Sequence, residues 1–158
     1  MKRKTVLVTG SSIGLGSAII EKYASNNYNV VITYNNNKDE ALKLNEKIKK
    51  YNVDSLVVKC DISNENDIEN MKNAIINKFE KLDILINNAS ISNDTLVSDK
   101  TKENFMRILE VNLVGTFLLF FKVWSSILLN MSFRFCSSVF TILSIFLSIF
   151  SIFYHHLF

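Results

Sequence analysis

The sequence predicts an α/β fold: a doubly wound parallel sheet whose C-terminal end is incomplete and is followed by an apolar, helical tail. Two observations carry this. Short runs of β-branched and other apolar residues alternate with longer stretches in which apolar residues recur at helical spacing, the pattern of βαβ units with a sheet buried on both faces. All 15 acidic residues lie at or before Glu110 and 17 of the 18 basic ones at or before Lys122, so the remainder of the chain is almost uncharged. The expected division is therefore 1–122 as the α/β domain and 123–158 as the tail.

The first strand is the run Val6, Leu7, Val8, which stops at Thr9. Glycines at 10, 14 and 16 follow, then a helix with Ala18, Ile19, Ile20, Tyr23 and Ala24 on one side. A buried strand, a glycine-rich turn and a helix N-terminus present main-chain amides and the positive end of a helix dipole to an anion. The spacing is not G-x-G-x-x-G, so on that template alone a plain strand-to-helix connection is as good a reading as a nucleotide site.

After the polar turn Asn26–Asn29, Val30 to Tyr34 is the second strand. Asn35 to Lys38 breaks it, and the next helix carries Ala41, Leu42, Leu44 and Ile48 on its apolar face. Leu56 to Val58 is the third strand, ending at Cys60-Asp61. Ser63 or Asn64 caps a helix with Ile68, Met71, Ile75, Ile76 and Phe79 inward. Leu82 to Ile86 is the fourth strand, ending in Asn87-Asn88-Ala89. The turns after Thr9, Tyr34, Asp61 and Asn87 should converge beyond the carboxyl ends of the strands, where such sheets bind ligands.

Thr-Gly-x-x-x-Gly-x-Gly at Thr9, Gly10, Gly14 and Gly16 resembles the cofactor loop of the short-chain dehydrogenase/reductase family, and further matches follow in order as far as about residue 122. The resemblance implies a Rossmann-like sheet and an NAD(P) cofactor. Its phosphates would lie on Thr9, Gly10, Ser12, Ile13, Gly14 and Gly16. Asp61-Ile62 is similar to the family's pair at the adenine ring, and Asn87-Asn88-Ala89 to its Asn-Asn-Ala-Gly, which makes Asn87 and Ala89 the adenosine wall. Ser90 stands where the family has glycine. At the end of the second strand, Tyr34 and Asn35 replace the carboxylate that would bind a ribose diol, and Lys38 is near, which leans the expectation to NADP over NAD.

The stretch from Ile91 through Val-Asn-Leu-Val-Gly-Thr-Phe117 resembles the family's 3-oxoacyl-[acyl-carrier-protein] reductases. Asn112 matches the helix asparagine that holds a water in a proton relay. A polar residue inside an apolar helix, needing only a satisfied hydrogen bond, is the competing reading of the same residue. The family also needs a Tyr-x-x-x-Lys pair, since a phenol of pKa about 10 is a poor base without a neighbouring cation. The chain is read as lacking that pair: Tyr154 is the only tyrosine after Tyr51, and four residues on stands Phe158. Hydride transfer by the chain as given is therefore not expected, and the alternative is a nucleotide-binding pseudoenzyme with a membrane-associated tail.

The tail has two readings. Phe135 to Phe153 is 19 residues without a charge, about enough to cross a bilayer, with serines and a threonine at helical spacing. The preferred reading is a shifted reading frame or a retained non-coding segment in AT-rich DNA, because the family match stops mid-helix near Phe120 to Lys122 and proline is absent. A cytoplasmic location is expected, with membrane association through 135–153 as the alternative. The expected partners are the dinucleotide and a small carbonyl or hydroxyl substrate, without the helix the family uses in its oligomers. A net charge of +3 with no basic, aromatic-rich patch argues against nucleic acid, and the adjacent His155 and His156 argue against a metal. Cys60 and Cys136 fit a reducing compartment, and the basic start has too short an apolar run for a targeting signal.

Overall fold

In the computed structural model, residues 2–92 and 101–124 are described. Four parallel strands, β1 (Thr5–Val8), β2 (Asn29–Tyr34), β3 (Ser55–Lys59) and β4 (Ile84–Ile86), form one sheet in the order β3-β2-β1-β4. Val6 lies between Val30 and Ile84, and Leu7 between Val31 and Leu85. Because successive side chains point to opposite faces, this register sends Val6, Val8, Val30 and Ile32 one way and Leu7 and Val31 the other. The first set packs against Ile20 and Ala24 of α1 (Gly14–Ser25) and Ala41, Leu44 and Ile48 of α2 (Lys38–Ile48). The second packs against Ile68, Met71, Ile75 and Phe79 of α3 (Glu65–Phe79). The sheet is thus wound on both faces, as expected.

Among the residues assigned to apolar helix faces, Ala18, Leu42 and Ile76 face out. Leu42 and Ile76 each sit one residue, about 100° of helical rotation, from a buried neighbour (Ala41 and Ile75), so the stripe is narrower than the apolar run suggested. Leu82 is buried but precedes β4 rather than opening it. β1 is fully buried, whereas β3 and β4, the two outer strands among the described residues, are only half-buried. Of the two cap candidates for α3, Asn64 does the capping: its Oδ1 accepts from the amides of Asn66 and Asp67 at 2.9 and 3.3 Å.

The last described stretch is one run of right-handed helix. Thr101 caps α4 (Lys102–Leu109), the winding opens to wide i→i+5 turns over Glu110–Gly115, α5 (Thr116–Leu119) tightens it, and Phe120–Trp124 widens again. Val111, Leu119 and Val123 enter the α3 side of the core. Gly115 lies on the Ile62 carbonyl, where a Cβ would stand 2.7 Å from the oxygen, so glycine lets this helix cross close to the end of β3. No helix among the described residues is long and apolar enough to cross a membrane. The expected helical tail and the uncharged run 135–153 lie outside them.

β1 and β4 are joined at their starts by Asp83. Its Oδ2 accepts the Thr5 amide at 2.8 Å, its own amide donates to the Thr5 carbonyl at 2.9 Å, and Lys81 Nζ reaches Oδ1 at 2.7 Å. Burial pushes this carboxyl up, but Lys81 and the Thr5 amide outweigh burial and hold it below the usual carboxylate range. A carboxyl depressed in the folded state stabilises above its unfolded pKa, about 3.9, and that contribution is lost as pH falls through the folded value. Asp83→Asn should therefore lower the urea midpoint most at neutral pH, and its gap from wild type should close below about pH 3.9. A gap that persists unchanged at acid pH would remove the carboxylate from this account.

Candidate functional site

The chain runs outward from β1 to β2 and β3, then returns to place β4 on the other side of β1. The strand order reverses between β1 and β4, the position beyond whose carboxyl ends sheets of this kind bind ligands. Thr9 to Gly16 leave β1 at this point, and Asn87 to Ala89 leave β4.

Thr9 is the knot between them. Its amide donates to the Ile86 carbonyl, and its buried hydroxyl accepts both the Asn88 and the Ala89 amides at 3.0 Å. Asn88 returns the contact, donating from Nδ2 to the carbonyls of Thr9 at 2.9 Å and Gly10 at 3.2 Å. Gly10 has φ +61°, and a Cβ there would lie 2.8 Å from Ala89 Cα. Gly16 is equally confined: a Cβ would stand 2.7 Å from both Asn88 Nδ2 and the Gly10 carbonyl. These two glycines allow the turn to fold back against β4.

Gly14 differs. It also has positive φ, +59°, but a Cβ there would meet nothing within 4 Å. It opens α1, which has no side-chain cap and no acidic residue in its first turn. By contrast, Asn64 and Thr101 cap α3 and α4, and the first turns of α2, α3 and α4 all contain acids. The amide end of α1 therefore keeps an uncompensated positive dipole facing open space. Ser12 is buried, while Ile13 and Leu15 are 51% and 72% exposed around the opening. Free amides and open space of this kind are what an anion needs at a helix start.

β2 holds the other side of the turn. Thr33 Oγ1 accepts the Gly10 amide at 2.9 Å and donates to the Val8 carbonyl at 3.3 Å, while the Thr33 amide donates to Ser11 Oγ at 2.9 Å. The Ser11 amide donates back to the Thr33 carbonyl. Neither Thr33 nor Asn88 was singled out in the sequence as a site residue, and β2 periodicity made Thr33 look like an ordinary strand position.

At the outer end, Tyr34 is half-buried and Asn35 exposed, with Lys38 exposed at the start of α2. Asp61 Oδ1 accepts the Ser63 amide and hydroxyl at 2.9 and 2.6 Å, and Oδ2 accepts from Asn35 Nδ2 at 3.1 Å and Arg107 Nη2 at 3.2 Å. Burial pushes this carboxyl up, but Ser63 and Arg107 outweigh it and keep Asp61 ionised below the usual range. Ile62 beside it is buried, and so is the Cys60 thiol, which burial, then the Asp67 and Asp61 carboxylates, push up to about 12. Asn87 is exposed, and Ala89 is half-buried against Gly10.

Asn112 is exposed on the widened helix. Its side-chain amide pairs with the Ile91 backbone, Oδ1 accepting the amide at 2.9 Å and Nδ2 donating to the carbonyl at 3.0 Å. It anchors the segment after β4 to the widened helix. The expectation that the chain contains no Tyr-x-x-x-Lys needs correction: Tyr34 and Lys38 have that spacing. They straddle the break between β2 and α2, so they are not stacked one turn apart on a helix face as an i, i+4 pair would be.

A family model described as short chain dehydrogenase matches residues 4–132, ten residues past the point where the sequence resemblance was expected to end. The 3-oxoacyl-acyl-carrier-protein reductase FabG of Staphylococcus aureus is 32% identical over 114 residues, covering 72% of this chain and 46% of that protein. The FabG of Staphylococcus epidermidis is also 32% identical, with 47% of it covered. A Burkholderia xenovorans crystal structure described as a short-chain dehydrogenase/reductase shares the fold at a TM-score of 0.78, with 19% identity, over 85% of this chain and 56% of that one. The chain spans about half the length of the curated relatives it matches.

Proposed function

Because the chain belongs to the short-chain dehydrogenase family, we propose that the carboxyl end of its sheet is the dinucleotide site of an NAD(P)-dependent oxidoreductase, with NADP the preferred form. The observation that carries this is the uncapped, acid-free start of α1 at Gly14, where an added Cβ would meet nothing within 4 Å. Main-chain amides of Ser12, Ile13 and Gly14 through Gly16 would hold the pyrophosphate, with Thr9 and Gly10 fixing the turn. Asp61 and Ile62 would face the adenine, and Asn87 and Ala89 would wall the adenosine. The end of β2 supports NADP because Tyr34 and Asn35 carry no charge that repels a 2′-phosphate and Lys38 stands nearby.

A bound nicotinamide would exchange a hydride with a carbonyl or hydroxyl carbon of the substrate. The relatives named 3-oxoacyl reductases make a 3-oxoacyl thioester the first substrate class to test. Asn112 belongs at the reacting end of this site. An amide side chain has two acceptor and two donor positions, and Ile91 takes one of each, so one water can still be held. Proton transfer to the substrate has no assigned residue here. The stretch after Asn112 carries no Tyr-x-x-x-Lys, and Tyr34–Lys38 stands at the adenosine end. The 158 residues are thus proposed to bind cofactor without turning it over.

Titrating the full chain into NADPH and following nicotinamide fluorescence tests both parts. Saturable binding is expected below about 1 mM, a free energy of about −4 kcal/mol, with no NADPH oxidation when a 3-oxoacyl thioester is added. Lack of binding at that concentration would contradict the site, and turnover would contradict the inactivity.

A further inference from the structure

The rim beyond β2 and β3 is closed by a side chain from a third element. Gly115 on the Ile62 carbonyl brings the long helix across the end of β3, and about two turns earlier Arg107 reaches over the rim. Its Nη2 donates to Asp61 Oδ2 at 3.2 Å, and its Nη1 donates to Ser63 Oγ at 2.8 Å and Glu110 Oε2 at 3.1 Å. The same Asp61 oxygen accepts from Asn35 Nδ2 at 3.1 Å. The helix, the β3 turn and the end of β2 are therefore linked through one carboxylate.

We propose that Arg107 is a positioning residue for the adenosine end, acting through Asp61 to let a 2′-phosphorylated ribose sit beside Asn35. The proposal rests on the dinucleotide reading above. Its reasoning is electrostatic. Asn35 carries no charge, but the Asp61 carboxylate lies one hydrogen bond away from it. Unneutralised, that carboxylate would repel a phosphate dianion at the end of β2, and Glu110 would add to the repulsion. Arg107 pairs with both acids and offsets one of their two negative charges. A guanidinium suits the task because its planar fork serves Asp61, Ser63 and Glu110 at once, whereas a lysine ammonium offers one point of charge. With the guanidinium in place the repulsion is reduced, and Lys38, at the start of α2 ahead of Asp39 and Glu40, adds a positive charge after β2.

Two probes that differ only in the phosphate isolate the effect: adenosine 2′,5′-bisphosphate and adenosine 5′-monophosphate, titrated against the full chain and its variants by calorimetry. Arg107→Met keeps an unbranched stem and removes the charged head. It should weaken the bisphosphate about tenfold and the monophosphate less than about twofold. Arg107→Lys should recover part of the bisphosphate affinity, and carries the test if circular dichroism shows the methionine variant unfolded. Equal losses for both probes would mean a structural role only, and no loss for either would mean none at the ribose. Either outcome overturns the proposal while leaving the dinucleotide site standing. If the wild-type chain binds neither probe, the dinucleotide reading fails and this inference with it.

Discussion

Gly10→Val is expected to cost the fold roughly 3–5 kcal/mol, the sum of a branched side chain held at positive φ and a clash with main chain. The φ of +61° puts Gly10 in the left-handed region, and the missing Cβ would lie 2.8 Å from Ala89 Cα and 3.0 Å from Ala89 Cβ. Backbone cannot swing away as the end of a flexible side chain can. Relief would require β4 to separate from the turn, breaking the bonds from Asn88 and Ala89 to Thr9. Domains of this size are stable by only about 5–15 kcal/mol, so a loss of that order leaves a marginal protein. Urea unfolding followed by circular dichroism measures it, and a loss below about 1 kcal/mol would show that the close approach of β1 and β4 is not rigid.

Gly14→Asp separates binding from stability. The added Cβ meets nothing within 4 Å, so its cost is confined to backbone strain at φ +59°, about 1 kcal/mol for an aspartate. A carboxylate in the first turn of an uncapped helix returns about 0.3–1 kcal/mol, so the unfolding midpoint should barely move. Binding of NADPH should nonetheless fall on the order of 100-fold, because the carboxylate occupies the amide mouth and repels a pyrophosphate. Unaltered affinity would remove the phosphate turn from the site, and a collapse of stability would show the mouth to be more crowded than the open space at Gly14 implies.

What could be read from the sequence followed from local rules. The opening turn was legible because strand, glycine spacing and helix start are contiguous, and the parallel sheet because its strands are short apolar runs separated by helices. The residues missed depend on distant pairing. Thr33 grips the phosphate turn only because parallel pairing of β1 with β2 puts its hydroxyl beside the Gly10 amide. Arg107 meets Asp61 across 46 residues of sequence, through a crossing set by Gly115. Asn88, rather than its neighbour Asn87, holds the turn because the side chain one position further on faces β1. Leu42 and Ile76 were misplaced for the opposite reason: hydropathy names a residue type, while helical rotation decides which neighbour is covered.

Backbone amide chemical shifts provide the most direct test of whether the start of α1 is the dinucleotide mouth. On adding NADPH to isotope-labelled protein, the largest shifts should fall on Ser12 to Gly16, with a second group at Asn35, Asp61 and Ala89. Shifts absent from Ser12 to Gly16, or gathered at the opposite ends of the strands, would contradict it.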